Sequence, residues 1–195
     1  MLDYFSFRCI TVKKIGLSGR SFINAVNSNG STNLLIYSRH TIDTMNLIEA
    51  KGFIKNRNKN YYIIKNYTVL DRFMNIRNSY SKLNTAMLFL DITDKSHSAY
   101  GILYKSLIML GESEHSYLSI IYFLSDFLIQ NGVFNDTQYS TFELTLIKFL
   151  IERKNLKLNN IVIETDNIKS VIAKLVYAAE FYLGRSIKLN KYLNI

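Results

Sequence analysis

Lys55, Arg57, Lys59 and Lys65 all fall within the stretch GFIKNRNKNYYIIKN (52–66), which holds no carboxylate. A surface dense in lysine and arginine and free of acids suits a phosphate backbone, because binding there releases condensed counterions. Aromatic rings nearby add stacking on unpaired bases. The first part of the chain supplies both kinds of residue: Lys13, Lys14, Arg20, Arg39, Lys51, Lys55, Arg57, Lys59 and Lys65, interleaved with Tyr37, Phe53, Tyr61, Tyr62 and Tyr67. The candidate nucleic-acid contacts are those nine cations together with Tyr37 and Tyr61. Two other readings compete: a solvated turn, and a face for a membrane surface.

The distribution of charge bears on that choice. Residues 1–82 hold thirteen Lys or Arg against four Asp or Glu, an excess of nine; residues 83–195 hold eleven of each. A general bias toward lysine would spread the excess evenly, so its confinement favours a dedicated basic surface. The membrane alternative is the weaker one, since no amphipathic helix accompanies the basic part.

The residue types of enzyme chemistry are sparse. His40, His97 and His115 lie far apart, and Cys9 is the single cysteine, so neither metal-ligand spacing nor a disulfide is available. No phosphate-binding glycine loop occurs, and GLSG (16–19) is an incomplete nucleophile pattern, better read as a turn between strands. His97 in DKSHSAY reads as part of a helix start. The expectation is a protein without catalytic set, metal or cofactor.

Positioning the cations requires short strands. RCITVKK (8–14), SFINAV (21–26), TNLLIYSR (32–39), MNLIEAKGFIK (45–55) and YYIIKNYTVL (61–70) read as five strands joined by tight turns. Asn29-Gly30 is a hairpin signal, and Gly52 marks a bulge or bend. Alternation along YYII turns one of Tyr61 and Tyr62 outward if the other faces in, although several of these rings are also needed to fill the interior. Five strands without room for crossover helices predict a small antiparallel barrel, an OB-fold first and an SH3-like barrel as its rival.

Near residue 70 the period becomes helical. LDRFMNIRNSYSKLNTAMLFLDI begins a helix with Asp71 in its first turn. Further helices are predicted over 99–110, ending at Gly111, over 117–131, ending at Gly132, and over 142–154 and 167–184. Residues 155–164 read as a strand-like connection. The helix from Tyr117 is apolar on nearly every face and reads as the buried centre of a bundle. The fold class is therefore α+β: an OB-fold nucleic-acid-binding domain over 1–70 and an all-helical domain over 71–195.

The order of these pieces resembles the RecO family of recombination mediators. The strand closing on YSRH is followed by MNLIEAKGFIKN, by YYIIKNYTVLDRF, and by the helix IRNSYSKLNTAMLFLDI. The closing AAEFYLGRSIKLNKYLNI is also similar to the family's C-terminal end. Two departures stand out. FLIQNGVFNDTQYS (127–140) lacks the cysteines of the zinc site that many members carry. The glycine-and-basic run after the third strand is reduced to Ser38-Arg39-His40, which weakens the expectation of strong duplex binding.

The resemblance implies a non-enzymatic mediator of recombinational DNA repair that binds single- and double-stranded DNA, anneals strands and helps load a recombinase. The implied partners are a RecR-like protein and the C-terminal tail of single-strand-binding protein, whose carboxylate would need an apolar pocket with a cation beside it. The start MLDYFSFRCITVKK is not a signal peptide, and no apolar run reaches a membrane span, so the expected location is cytoplasmic and nucleoid-associated. The alternative function is a protein-interaction scaffold whose basic barrel meets an acidic partner.

Overall fold

The computed structural model describes residues 4–17, 20–36, 42–56, 61–94, 99–152 and 165–189. Five strands come first: β1 (Tyr4–Leu17), β2 (Arg20–Asn27), β3 (Gly30–Ile36), β4 (Leu47–Asn56) and β5 (Tyr61–Asp71). Helices follow: α1 (Met74–Arg77), α2 (Tyr80–Thr93), α3 (Tyr100–Glu112), α4 (Ser116–Gln130), α5 (Thr141–Glu152) and α6 (Thr165–Leu183). The expected α+β arrangement of a five-stranded sheet and then helices is therefore present. Two compact units form, Met1–Met74 with Phe89–Tyr104 and Asn75–Leu88 with Lys105–Ile195.

In the first unit the strand pairings close in the order β1-β2-β3-β5-β4, because β1 is long enough to pair with β4 through Tyr4–Ile10 and with β2 from Cys9 onward. The sheet is mixed, which corrects the antiparallel expectation: β3 and β5 run parallel, Asn33 opposite Tyr61 and Ile36 opposite Ile64. The reason is topological. A ring of five strands cannot alternate direction all the way round, so one pairing at least must be parallel.

Alternation then sorts the side chains. Cys9, Ile23, Ala25, Leu34, Ile36, Ile48, Ala50 and Ile64, with Ile42, form the interior, and Phe5, Phe7, Tyr62, Tyr67 and Val69 pack against it. Tyr62 lies edge-on to both Phe5 and Phe7, with centroids 4.8 and 5.0 Å away.

Three local details differ from the sequence reading. The β2–β3 turn centres on Ser28-Asn29, one residue early. The Asn27 side chain accepts the Asn29 N–H at 2.8 Å, and Gly30 takes the positive φ of 105° as the first residue of β3. Asp71 ends β5 instead of opening a helix, and its carboxylate accepts the Phe73 N–H at 2.6 Å. The predicted long helix is thereby split into α1 and α2, with Phe73 at φ 49° before α1. Gly111 lies inside α3, which runs on to Glu112, and does not cap it.

Gly132 does cap α4. At φ 68° it donates its N–H to Ile129 O, while the Val133 N–H reaches Leu128 O, the paired bonds of a Schellman motif. The buried run of α4 spans Leu118 to Leu128, and the helix packs against α5 and α6. Its all-round apolar sequence has become the centre of the second unit. The predicted connection over 155–164 and His97 lie outside the described residues.

Candidate nucleic-acid interface

The sequence-predicted contacts fall into separate groups. Lys13 and Lys14 leave opposite sides of β1. Lys13 pairs with Asn24, whose outward amide donates to Asp94 at 3.1 Å, whereas Lys14 pairs with the interior residue Ile23. One lysine therefore stands on the outer wall and the other is directed toward the barrel interior. Arg20 is the first residue of β2 and Lys55 belongs to β4. Tyr37, Arg39, Arg57 and Lys59 lie outside the described residues.

Tyr61 opens β5 and alternates with the interior Tyr62, so it faces outward. Its ring stacks on Phe22 of β2 at 6.1 Å and 11° between planes. Phe22 pairs with Leu35 of β3, which in turn pairs with Ile63 of β5. The outer wall of β2, β3 and β5 thus carries two parallel half-buried rings. Leu35 of the same face is buried, so the half-buried Phe22 and Tyr61 are what this wall offers to a base, and stacked rings can take a base face of any sequence.

Around the barrel, β1, β4 and β5 build a second outer wall. Rows across these strands set Tyr4, Phe53 and Ile63 together, then Ser6, Lys51 and Asn66, then Arg8, Glu49 and Thr68. A bulge sets the faces that follow Lys65. Lys51 pairs with Asn66 but Gly52 pairs with Ile64, so Lys65 is the extra residue of β5. Ile64 stays in the core, Tyr67 packs against it, and Lys65 and Asn66 are both exposed. The Lys65 ammonium sits 4.6 Å from the centroid of Phe53, a cation–π contact, and Phe53 meets Tyr4 edge-on at 5.6 Å.

Lys51 is partly neutralised, with its ammonium 3.6 Å from Glu49. Such an exposed pair holds little energy, so Lys51 remains available to an anion. Arg8 is exposed beside Glu49 on the neighbouring strand. Burial raises the pKa of Tyr100, as do Cys9 and Tyr104, and Arg8 works against them.

The sequence matches no protein-family model and no curated protein. The chemistry must accordingly be read from the residues alone. Burial pushes the Cys9 thiol up to about 12, which keeps it protonated and unreactive. Among the described residues no group of three or more His, Cys, Asp or Glu is placed to hold a metal ion, and no helix is long and apolar enough to cross a membrane.

Sequence reasoning missed Tyr4, Arg8 and Phe22 and used Phe53 only in passing. Phe53 stands two residues from Lys51, so period-two alternation already places them on one face. Arg8 and Tyr4 required the β1–β4 register, which nothing in the linear order supplies.

Proposed function

We propose that this protein is a non-enzymatic nucleic-acid-binding protein of the RecO type, with an OB-fold as its binding module. The reading is supported by one observation above others. A ring of five strands joined 1-2-3-5-4 displays stacked rings, Phe22 and Tyr61, on its β2–β3–β5 wall, and the corresponding wall is where OB-folds take up oligonucleotides. On this reading the protein binds single- and double-stranded DNA, anneals strands and assists recombinase loading in the cytoplasm at the nucleoid, with a RecR-like protein and the tail of single-strand-binding protein as partners.

Reversing two charges tests it. Arg57→Glu with Lys59→Glu should weaken binding to all sequences alike and lower the salt slope by about 1.4, at about 0.7 per phosphate contact on a single strand. Unchanged affinity and slope would remove the β4–β5 turn from the site.

A protein-interaction scaffold is the second reading, and one observation favours it. Tyr177 and Phe181, one turn apart on α6, are 70% and 86% exposed, far more open than rings of a finished surface need be. A pure protein without DNA affinity that captures a protein partner after nuclease treatment would decide for the scaffold.

A further inference from the structure

The β1–β4–β5 wall combines features that the β2–β3–β5 wall does not need. Tyr4 is 61% exposed at the edge of Phe53, and Lys65 covers Phe53. Lys51 and Arg8 follow on the next two rows. Among the described residues of this wall, three cations face one carboxylate, Glu49. Asp71, beyond it on β5, has its carboxylate engaged by the Phe73 N–H. We propose that this wall is a second contact surface for a single-stranded nucleic acid, with a base stacking on Tyr4 and phosphates at Lys65, Lys51 and Arg8. The proposal rests on the reading of the barrel as a nucleic-acid-binding module.

One argument favours a nucleic acid over an acidic peptide. The wall sets an open ring, Tyr4, beside the cations Lys65, Lys51 and Arg8, which suits a polymer that carries both bases and phosphates. An acidic peptide would use the cations and leave Tyr4 idle.

Strand β5 belongs to both walls, with Tyr61 outward at its start and Lys65 outward at its bulge. One nucleic-acid strand can therefore follow β5 from the Phe22–Tyr61 stack to the Lys65–Phe53–Tyr4 group. The bulge matters to this path. Without the extra residue, the alternation after Ile64 would exchange the faces of Asn66 and Tyr67.

Fluorescence anisotropy of a labelled mixed-sequence oligonucleotide, titrated at several salt concentrations, tests the proposal. Arg8→Gln with Lys65→Gln should lower the salt slope by about 1.4 relative to the parent. Tyr4→Ala should weaken binding about tenfold and Tyr4→Phe should not, while an abasic strand of the same length should not distinguish Tyr4→Ala from the parent. These side chains are exposed, and matching melting curves would exclude loss of fold. If the parent binds and Arg8→Gln with Lys65→Gln keeps its affinity and slope, the second wall is wrong and the barrel reading stands. If the parent binds no strand, both fall. If the double variant loses polyglutamate but keeps the oligonucleotide, the wall serves an acidic protein and the proposal is overturned.

Discussion

Gly52 of β4 lies so close to Ile63 of β5 that an added Cβ would collide with the Ile63 carbonyl oxygen. This glycine is therefore required by its neighbour's backbone and not by its own φ. It also stands where the register slips and Lys65 becomes the extra residue of β5. Gly52→Ala should destabilise the protein by about 3 kcal/mol, the upper end of the overpacking range, since main chain cannot yield as a side chain can. Urea unfolding checks this, and a stability equal to the parent's would contradict the close approach.

Thr11 is fully buried on β1 and fastens the segment leading into β4. Its hydroxyl donates to Asp43 O at 2.7 Å and accepts from the Asn46 N–H at 2.9 Å. Between them Met45 is held at φ 57°, an uncommon conformation for a long side chain, with its own N–H on Thr11 O. Thr11→Val keeps the shape but leaves the Asn46 N–H without that acceptor. It should cost about 1–3 kcal/mol in thermal or urea unfolding.

Gly132 serves α4 through its positive φ, and a Cβ there would meet nothing. Gly132→Ala should cost about 1–2 kcal/mol through backbone conformation alone, measured as a lowered melting temperature. Gly111, inside α3 with ordinary contacts around an added Cβ, should accept alanine with a gain of about 0.5–1 kcal/mol.

Glu143 gives the second unit an acid-sensitive joint. Ser140 and Glu143 form a capping box at the start of α5, the carboxylate accepting the Ser140 N–H and the Ser140 hydroxyl accepting the Glu143 N–H. Lys174 of α6 donates to both carboxylate oxygens, at 2.7 and 2.9 Å, and Ser170 adds a hydroxyl. Burial alone would raise the Glu143 pKa, but the bonds from Lys174, Ser140 and Ser170 outweigh it and hold the pKa below the usual carboxylate value. A lowered folded pKa stabilises the fold above the unfolded value of about 4.3, and that stability is lost as pH falls through the folded pKa. Glu143→Gln should therefore cost about 1–3 kcal/mol at neutral pH, moderated because water reaches Lys174, and should flatten the acid side of the stability profile.

Much of the fold was legible because period and turn chemistry are local. The five strands and the buried helix from Tyr117 follow from neighbouring residues, and Gly52 marks an irregularity whose extra residue, Lys65, lies on the partner strand. The misreadings have physical reasons that are local but finer. Asn27 captured the hairpin through its side chain and shifted the turn off Asn29-Gly30. Asp71 did the same at Phe73 and cut a predicted helix into α1 and α2.

The site was harder to read, because charge can be counted along a chain whereas a face cannot. Lys13 and Lys14 are adjacent in sequence and diverge on β1. Arg8 and Lys51 are far apart in sequence and converge through the β1–β4 register. The closing of five strands into a ring, with its forced parallel pair, appears in no local pattern.

The central claim is that the barrel reads a phosphate backbone. Its most direct test is the affinity of the unmodified protein for a labelled single strand, measured by anisotropy across a salt series. The account predicts binding that weakens steeply with salt, log Kd rising linearly with log salt at about 0.7 per phosphate engaged. Absence of binding at low salt, or binding indifferent to salt, would contradict it.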